Sequence, residues 1–101
     1  MRVIVTEYLV RNNQDFPGHI CPVYPGRTAS GVYVRVGMAA SDWSVFPRGT
    51  KIQVPHFPHG VVTVTDTGGM IIGKHIDLAV ASCREALTWG RRILEVQYHR
   101  P

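Results

Sequence analysis

Val61-Val62-Thr63-Val64-Thr65-Asp66-Thr67-Gly68-Gly69-Met70-Ile71-Ile72-Gly73-Lys74-His75-Ile76-Asp77-Leu78 is the stretch of this chain that decides its fold class. Alternating β-branched residues run into Asp66 and then into the pair Gly68-Gly69. A short apolar segment and Gly73 follow, and Asp77 opens a second apolar run, Leu78-Ala79-Val80. Strand, tight turn and strand is the simplest arrangement, a hairpin with one carboxylate at each strand–loop boundary. The two aspartates are eleven residues apart, and they approach one another if the chain doubles back through its glycines.

Outward from this stretch the same grammar repeats. Residues 2–10, 37–40, 51–55, 61–65, 77–80 and 91–98 read as short strands separated by Gly, Pro, Asn and Asp. The one helix expected covers 82–89: Ser82 caps it, Glu85 completes a capping box, and Gly90 ends it. Residues 11–27 form a long polar loop, of the kind that borders functional clefts. Six short strands and one short helix in 101 residues argue for a single domain, 1–101, closed into a small all-β barrel, because closure removes exposed edge strands.

Composition limits the partners. Hydrophobic residues are 45% of the chain, enough for a globular core and too many for a disordered one. Met1-Arg2 leads directly into Val3-Ile4-Val5, so no secretory signal is expected, and no apolar run is long enough to cross a bilayer. The net charge of +4 comes from scattered residues, of which only Arg91 and Arg92 adjoin. That distribution suits surface solvation or attraction to an anionic polymer such as a cell-wall glycan. It lacks the basic stripe or aromatic platform of a nucleic-acid binder. Cys21 and Cys83 are too few for a zinc site; they are either small buried hydrophobes or a disulfide closing a long loop.

Three carboxylates stand out. Asp42, Asp66 and Asp77 each end or begin an apolar strand beside small residues. A carboxyl group held near another in a partly dry cleft keeps its proton at neutral pH, which a general acid acting on a glycosidic oxygen requires. Asp before Thr-Gly-Gly is equally a good turn former. His19, His56, His59 and His75 match no common metal spacing, and His75 lies two residues before Asp77. Trp43 is either rim packing or a sugar platform beside Asp42, while Trp89 anchors the helix to the barrel. Thr28-Ala29-Ser30-Gly31 suits a plain turn or a ligand contact.

Taken together, these blocks closely resemble the small three-aspartate "3D" domain of MltA-type and stationary-phase-survival cell-wall enzymes. The resemblance runs through Thr6 and Tyr8, Thr28-Ala29-Ser30-Gly31, Ala39-Ala40-Ser41-Asp42 and Phe46-Pro47-Arg48-Gly49-Thr50. It continues through Asp66-Thr67-Gly68-Gly69, Gly73 with Ile76-Asp77-Leu78, and Glu85-Ala86-Leu87 with Trp89-Gly90-Arg91-Arg92. It implies a six-stranded double-psi β-barrel and lytic transglycosylase activity on the MurNAc–GlcNAc bond of peptidoglycan, leaving a 1,6-anhydro-muramic end.

By the same resemblance Asp77 is the catalytic acid/base. Asp66 is its close partner, raising its pKa, and Asp42 is the third aspartate, hydrogen-bonded within the same group. Thr28 and Ser30 line the cleft with hydroxyls, and Gly68, Gly69, Lys74, His75 and Trp43 complete substrate binding. No metal or other cofactor is implied, nor any nucleic acid, and the chain is expected to act as a monomer in the cell wall or periplasm. One departure is Ile72, where the family usually carries lysine. An isolated domain also fits a phage lysis or virion component, a trimmed chain or a protein exported with help. The alternatives in function are a non-catalytic glycan-binding module of expansin-like or RlpA-like type and a structural virion part.

Overall fold

The computed structural model describes all 101 residues. Strands β1 (Arg2–Leu9), β2 (Met38–Ser41), β3 (Lys51–Gln53), β4 (Val62–Asp66) and β5 (His75–Val80) precede helix α1 (Cys83–Trp89), which leads into β6 (Arg92–Glu95) and β7 (Gln97–His99). The all-β expectation holds, and the strand count is seven rather than six. The expected strand at 91–98 is broken at Val96, which is buried and exchanges backbone hydrogen bonds with Met1 at both its N–H and its carbonyl.

That break makes the sheet barrel-like. The strand order is β6-β1-β5-β2-β4-β3-β7. Its two outermost strands are therefore halves of one terminal segment, β6 pairing with β1 and β7 with β3. Joined through Val96, neither end of the sheet is left as a long free edge.

The hairpin expected in 61–78 does not form. Strands β4 and β5 are separated by β2, which runs parallel to β4 and antiparallel to β5. Every residue of β2 is buried, and its Met-Ala-Ala-Ser sequence is slim enough to slot between two strands rich in Val, Ile and Leu. One face of the sheet carries the main core: Val3, Val5 and Leu9 of β1 meet Ile76, Leu78 and Val80 of β5, with Val62 and Val64 of β4. On the other face Tyr8, Met38 and Ala79 form a small second cluster under the loop that follows β1.

Helix α1 packs against β1 as its caps direct. Ser82 Oγ accepts from Glu85 N–H at 3.2 Å, and Gly90 closes the helix at φ 68° with its N–H on the Ala86 carbonyl. Trp89 is the expected anchor: its indole N–H reaches the Val5 carbonyl at 3.1 Å in the core. Residues 11–27 are fastened rather than loose. Cys21 and Cys83 form a disulfide, and Gln14 holds the Cys21 backbone at both N–H (2.8 Å) and carbonyl (3.0 Å). Asp15 receives Ser82 Oγ at 2.7 Å and Arg84 N–H at 2.8 Å, tying the loop to the start of the helix.

Candidate functional site

One row of cross-strand partners builds the site. Thr6 on β1 pairs with Asp77 on β5, Asp77 pairs with Ala40 on β2, and Ala40 pairs with Asp66 on β4. The last pairing depends on an irregularity. Ala39 faces Val64, yet Ala40 faces Asp66, so Thr65 is skipped and Asp66 is brought into the row. Two carboxylates thus flank one alanine, with their backbones two strand spacings apart, roughly 9 to 10 Å. The alanine methyl leaves the space between them open.

That space is a cleft of about 280 Å³. Tyr8, Ala40 and Asp77 lie within the sheet, and Asp66-Thr67-Gly68-Gly69-Met70-Ile71 forms one wall. Pro22 and Tyr24, from the loop after β1, form the other. Gly68 is required by space: a Cβ there would lie 2.9 Å from Ile71 Cγ1, in a turn closed by Ile71 N–H on the Gly68 carbonyl at 3.0 Å.

Asp77 carries the perturbed chemistry. Burial pushes its carboxyl up to about 6, and the hydrogen bond from the Thr6 hydroxyl to Oδ1 (3.0 Å) opposes that rise. Thr6 Oγ1 also lies 2.9 Å from His75 Nε2. A hydroxyl has one hydrogen, so with Thr6 donating to Asp77, His75 Nε2–H donates to Thr6. With Oδ1 occupied, Oδ2 is left to carry the Asp77 proton. The expected cause of the raised pKa, the charge of Asp66, is not the operative one; desolvation is.

Asp66 lines the cleft, but its Oδ1 is occupied by two backbone donors, Ala29 N–H and Thr67 N–H, each at 2.9 Å. Asp42 is outside the cleft and does not bond to the other aspartates. Its Oδ1 takes Ser44 Oγ (2.6 Å) and Ser44 N–H (3.0 Å), and its Oδ2 takes Gly73 N–H (2.9 Å). The Ser44 hydroxyl above all, then the Gly73 amide, hold its carboxyl below the usual range. Asp42 is therefore a fastener of the glycine segment between β4 and β5.

The other expected contacts are redistributed in the same way. Gly68 and Gly69 line the cleft; Thr28, Ser30, Trp43, Lys74 and His75 do not. Thr28 and Ser30 hydroxyls bond to each other at 2.9 Å, and Ser30 N–H donates to the Thr65 carbonyl, so this turn braces Asp66 from behind. The Trp43 indole N–H donates to the Asp66 carbonyl at 3.0 Å and so braces the end of β4. Burial, then the nearby Arg91, lower the His75 pKa. Ile72 is exposed and outside the cleft. His59 pairs with Glu85 at 2.6 Å, and no group of three His, Cys, Asp or Glu side chains converges as a metal site would need.

The loop residues Pro22 and Tyr24, and the apolar lip of Met70 and Ile71, were not legible as site residues. Nothing in their types or spacing separates a cleft wall from an ordinary loop.

Comparisons with known proteins show the family and the fold. The family described as the 3D domain matches residues 38–99, which include Ala40, Asp66 and Asp77. The cell wall-binding protein YocH of Bacillus subtilis (strain 168) is 36% identical over 76 residues, covering 71% of this chain and 26% of that protein. The crystal structure of MltA from Escherichia coli, described as a lytic transglycosylase fold, superposes with a TM-score of 0.53 at 26% identity, over 72% of this chain and 27% of that one. MltA with bound chitohexaose superposes at 0.51 with 22% identity, over 77% and 29%, and shares the fold. The chain spans about a quarter of the length of each relative.

Proposed function

The chain belongs to the 3D domain family, and on that premise we propose that it is a lytic transglycosylase domain acting on peptidoglycan in the cell wall or periplasm. The observation that carries the reading is Asp77: a cleft carboxyl raised to about 6 by burial, with Oδ1 held by Thr6. A carboxyl so poised is protonated often enough near neutral pH to act as a general acid. We take the barrel to be of double-psi type, in keeping with the MltA-like superposition.

In this reading Asp77 gives its Oδ2 proton to the glycosidic oxygen as the bond to the anomeric carbon breaks. The carboxylate then takes the proton from the carbon-6 hydroxyl of the same muramyl residue as that oxygen attacks the anomeric carbon. The products are a strand with a new hydroxyl and a 1,6-anhydro-muramic end, and Asp77 is protonated again. The nucleophile belongs to the substrate, so no activated protein nucleophile is needed. Asp66, across Ala40, contributes negative charge beside the developing positive sugar ring.

Purified peptidoglycan digested with the protein, followed by mass spectrometry, tests the proposal. Anhydro-muramyl ends are expected, and Asp77→Asn should abolish them. Ordinary reducing ends would make the protein a hydrolase. A second reading, binding without cleavage, is favoured by the similarity to a cell wall-binding protein. Pull-down on intact peptidoglycan without any released product would establish that reading instead.

A further inference from the structure

Tyr24 faces the Asp66–Asp77 cleft from outside the family-matched stretch 38–99, and it is 62% exposed. Its backbone is nonetheless fixed. Leu9 N–H donates to the Pro22 carbonyl and Tyr24 N–H to the Leu9 carbonyl, each at 2.9 Å, so residues 22–24 pair in parallel alongside the end of β1 through Val23. The disulfide at Cys21 and the Gln14 clasp hold the residues just before it. The Tyr24 ring meets the Tyr8 ring edge-on, with centroids 5.9 Å apart and planes at 67°.

Tyr8 adds an observation of its own. It is 3% exposed, lines the cleft, and its hydroxyl has no protein hydrogen-bond partner. Burial first, then the charges of Asp66 and Asp77, push its phenol pKa up, so it stays a neutral hydrogen-bonding group. An exposed aromatic ring on a fixed backbone, the unpaired Tyr8 hydroxyl and the Gly68-Gly69 pair line one cleft, a site for a flat ligand with one apolar face and polar edges.

We propose that Tyr24, backed by Tyr8, is a sugar platform that stacks on the C–H face of a pyranose ring of the glycan strand, forming the subsite beside Asp77. The proposal rests on the reading of this cleft as a glycan site. The electron-rich ring face attracts the weakly positive C–H groups, and the fixed backbone lowers the ordering cost of binding. The platform comes from the loop after β1, outside residues 38–99.

Calorimetric titration of peptide-free peptidoglycan glycan strands into the intact chain carrying Asp77→Asn measures binding without cleavage. Adding Tyr24→Ala should weaken binding about tenfold or more, whereas Tyr24→Phe should stay within about twofold. Near-UV circular dichroism of each variant checks that the fold is retained. Equal binding by Tyr24→Ala overturns the platform, and so does a loss in Tyr24→Phe as large as in Tyr24→Ala. Absence of glycan binding by Asp77→Asn itself would overturn the glycan reading of the cleft and the platform with it.

Discussion

Thr6 and Asp77 stand opposite each other on parallel strands β1 and β5, and the Thr6 hydroxyl donates to Asp77 Oδ1 at 3.0 Å. The bond stabilises the carboxylate form, while burial works the other way and prevails, leaving the pKa at about 6. A general acid acts while protonated, so glycan cleavage should be present below that pH and be lost as pH rises through it. Thr6→Val removes the donor and should move the loss of activity to higher pH. The measurement is kcat/KM against pH, from release of anhydro-muramyl ends. An unmoved profile would mean that Thr6 does not tune the acid.

The three aspartates should separate by experiment. Asp77→Asn is expected to remove cleavage and keep the fold. Asp42→Ala breaks the contacts with Ser44 and Gly73, so it should lower the melting temperature while leaving the pH profile of the remaining activity in place. A shifted profile in Asp42→Ala would return Asp42 to the chemistry.

Glu7 pairs in register with Leu78 on the core side of the sheet, only 8% exposed, and neither carboxyl oxygen has a protein partner. Burial, then Glu85, raise its pKa from 4.5 to about 8 against the opposing charge of Arg92. The folded protein therefore holds a proton that the unfolded chain releases above 4.5, and stability falls as pH rises from 4.5 to about 8. Glu7→Gln should remove this loss. Its gain in unfolding free energy, on the order of a few kcal/mol, should be present at pH 9 and absent at pH 4. A gain equal at both pH values would show that the carboxyl does not titrate in the fold.

The Cys21–Cys83 disulfide closes a span of 62 residues and holds the loop that supplies Pro22 and Tyr24 to the cleft. Replacing both cysteines with alanine should cost about 4 kcal/mol by the loop-entropy relation. Because the wall loosens as well, glycan affinity should fall even well below the melting temperature. Denaturant unfolding and binding, measured on the same double variant, read the two effects separately. Unchanged affinity would show that the Leu9 backbone bonds and the Gln14 clasp hold the wall without the disulfide.

The resemblance of the ordered blocks already pointed to the 3D domain. The residues themselves made much else legible: β strands from alternating Val, Ile and Leu, the Ser82 cap, the Gly90 stop and the Trp89 anchor. These depend on neighbours close in sequence, through side-chain periodicity and capping geometry. Asp66 and Asp77 likewise stood out because carboxylates at strand ends beside glycine are conspicuous.

Only the tertiary structure decided where they lie relative to one another. The stretch from Val61 to Leu78 reads locally as a hairpin, yet the slender β2 enters between its two strands, and Ala40 separates the two aspartates. Strand pairing is non-local, since a strand's own pattern records which face is buried and not which strand lies beside it. For the same reason Asp42, conspicuous as a third acid, lies outside the cleft and bonds Ser44 and Gly73, while Tyr24, legible only as loop, lines the cleft. Burial raised the Asp77 pKa, and burial belongs to the assembled fold rather than to any residue within it.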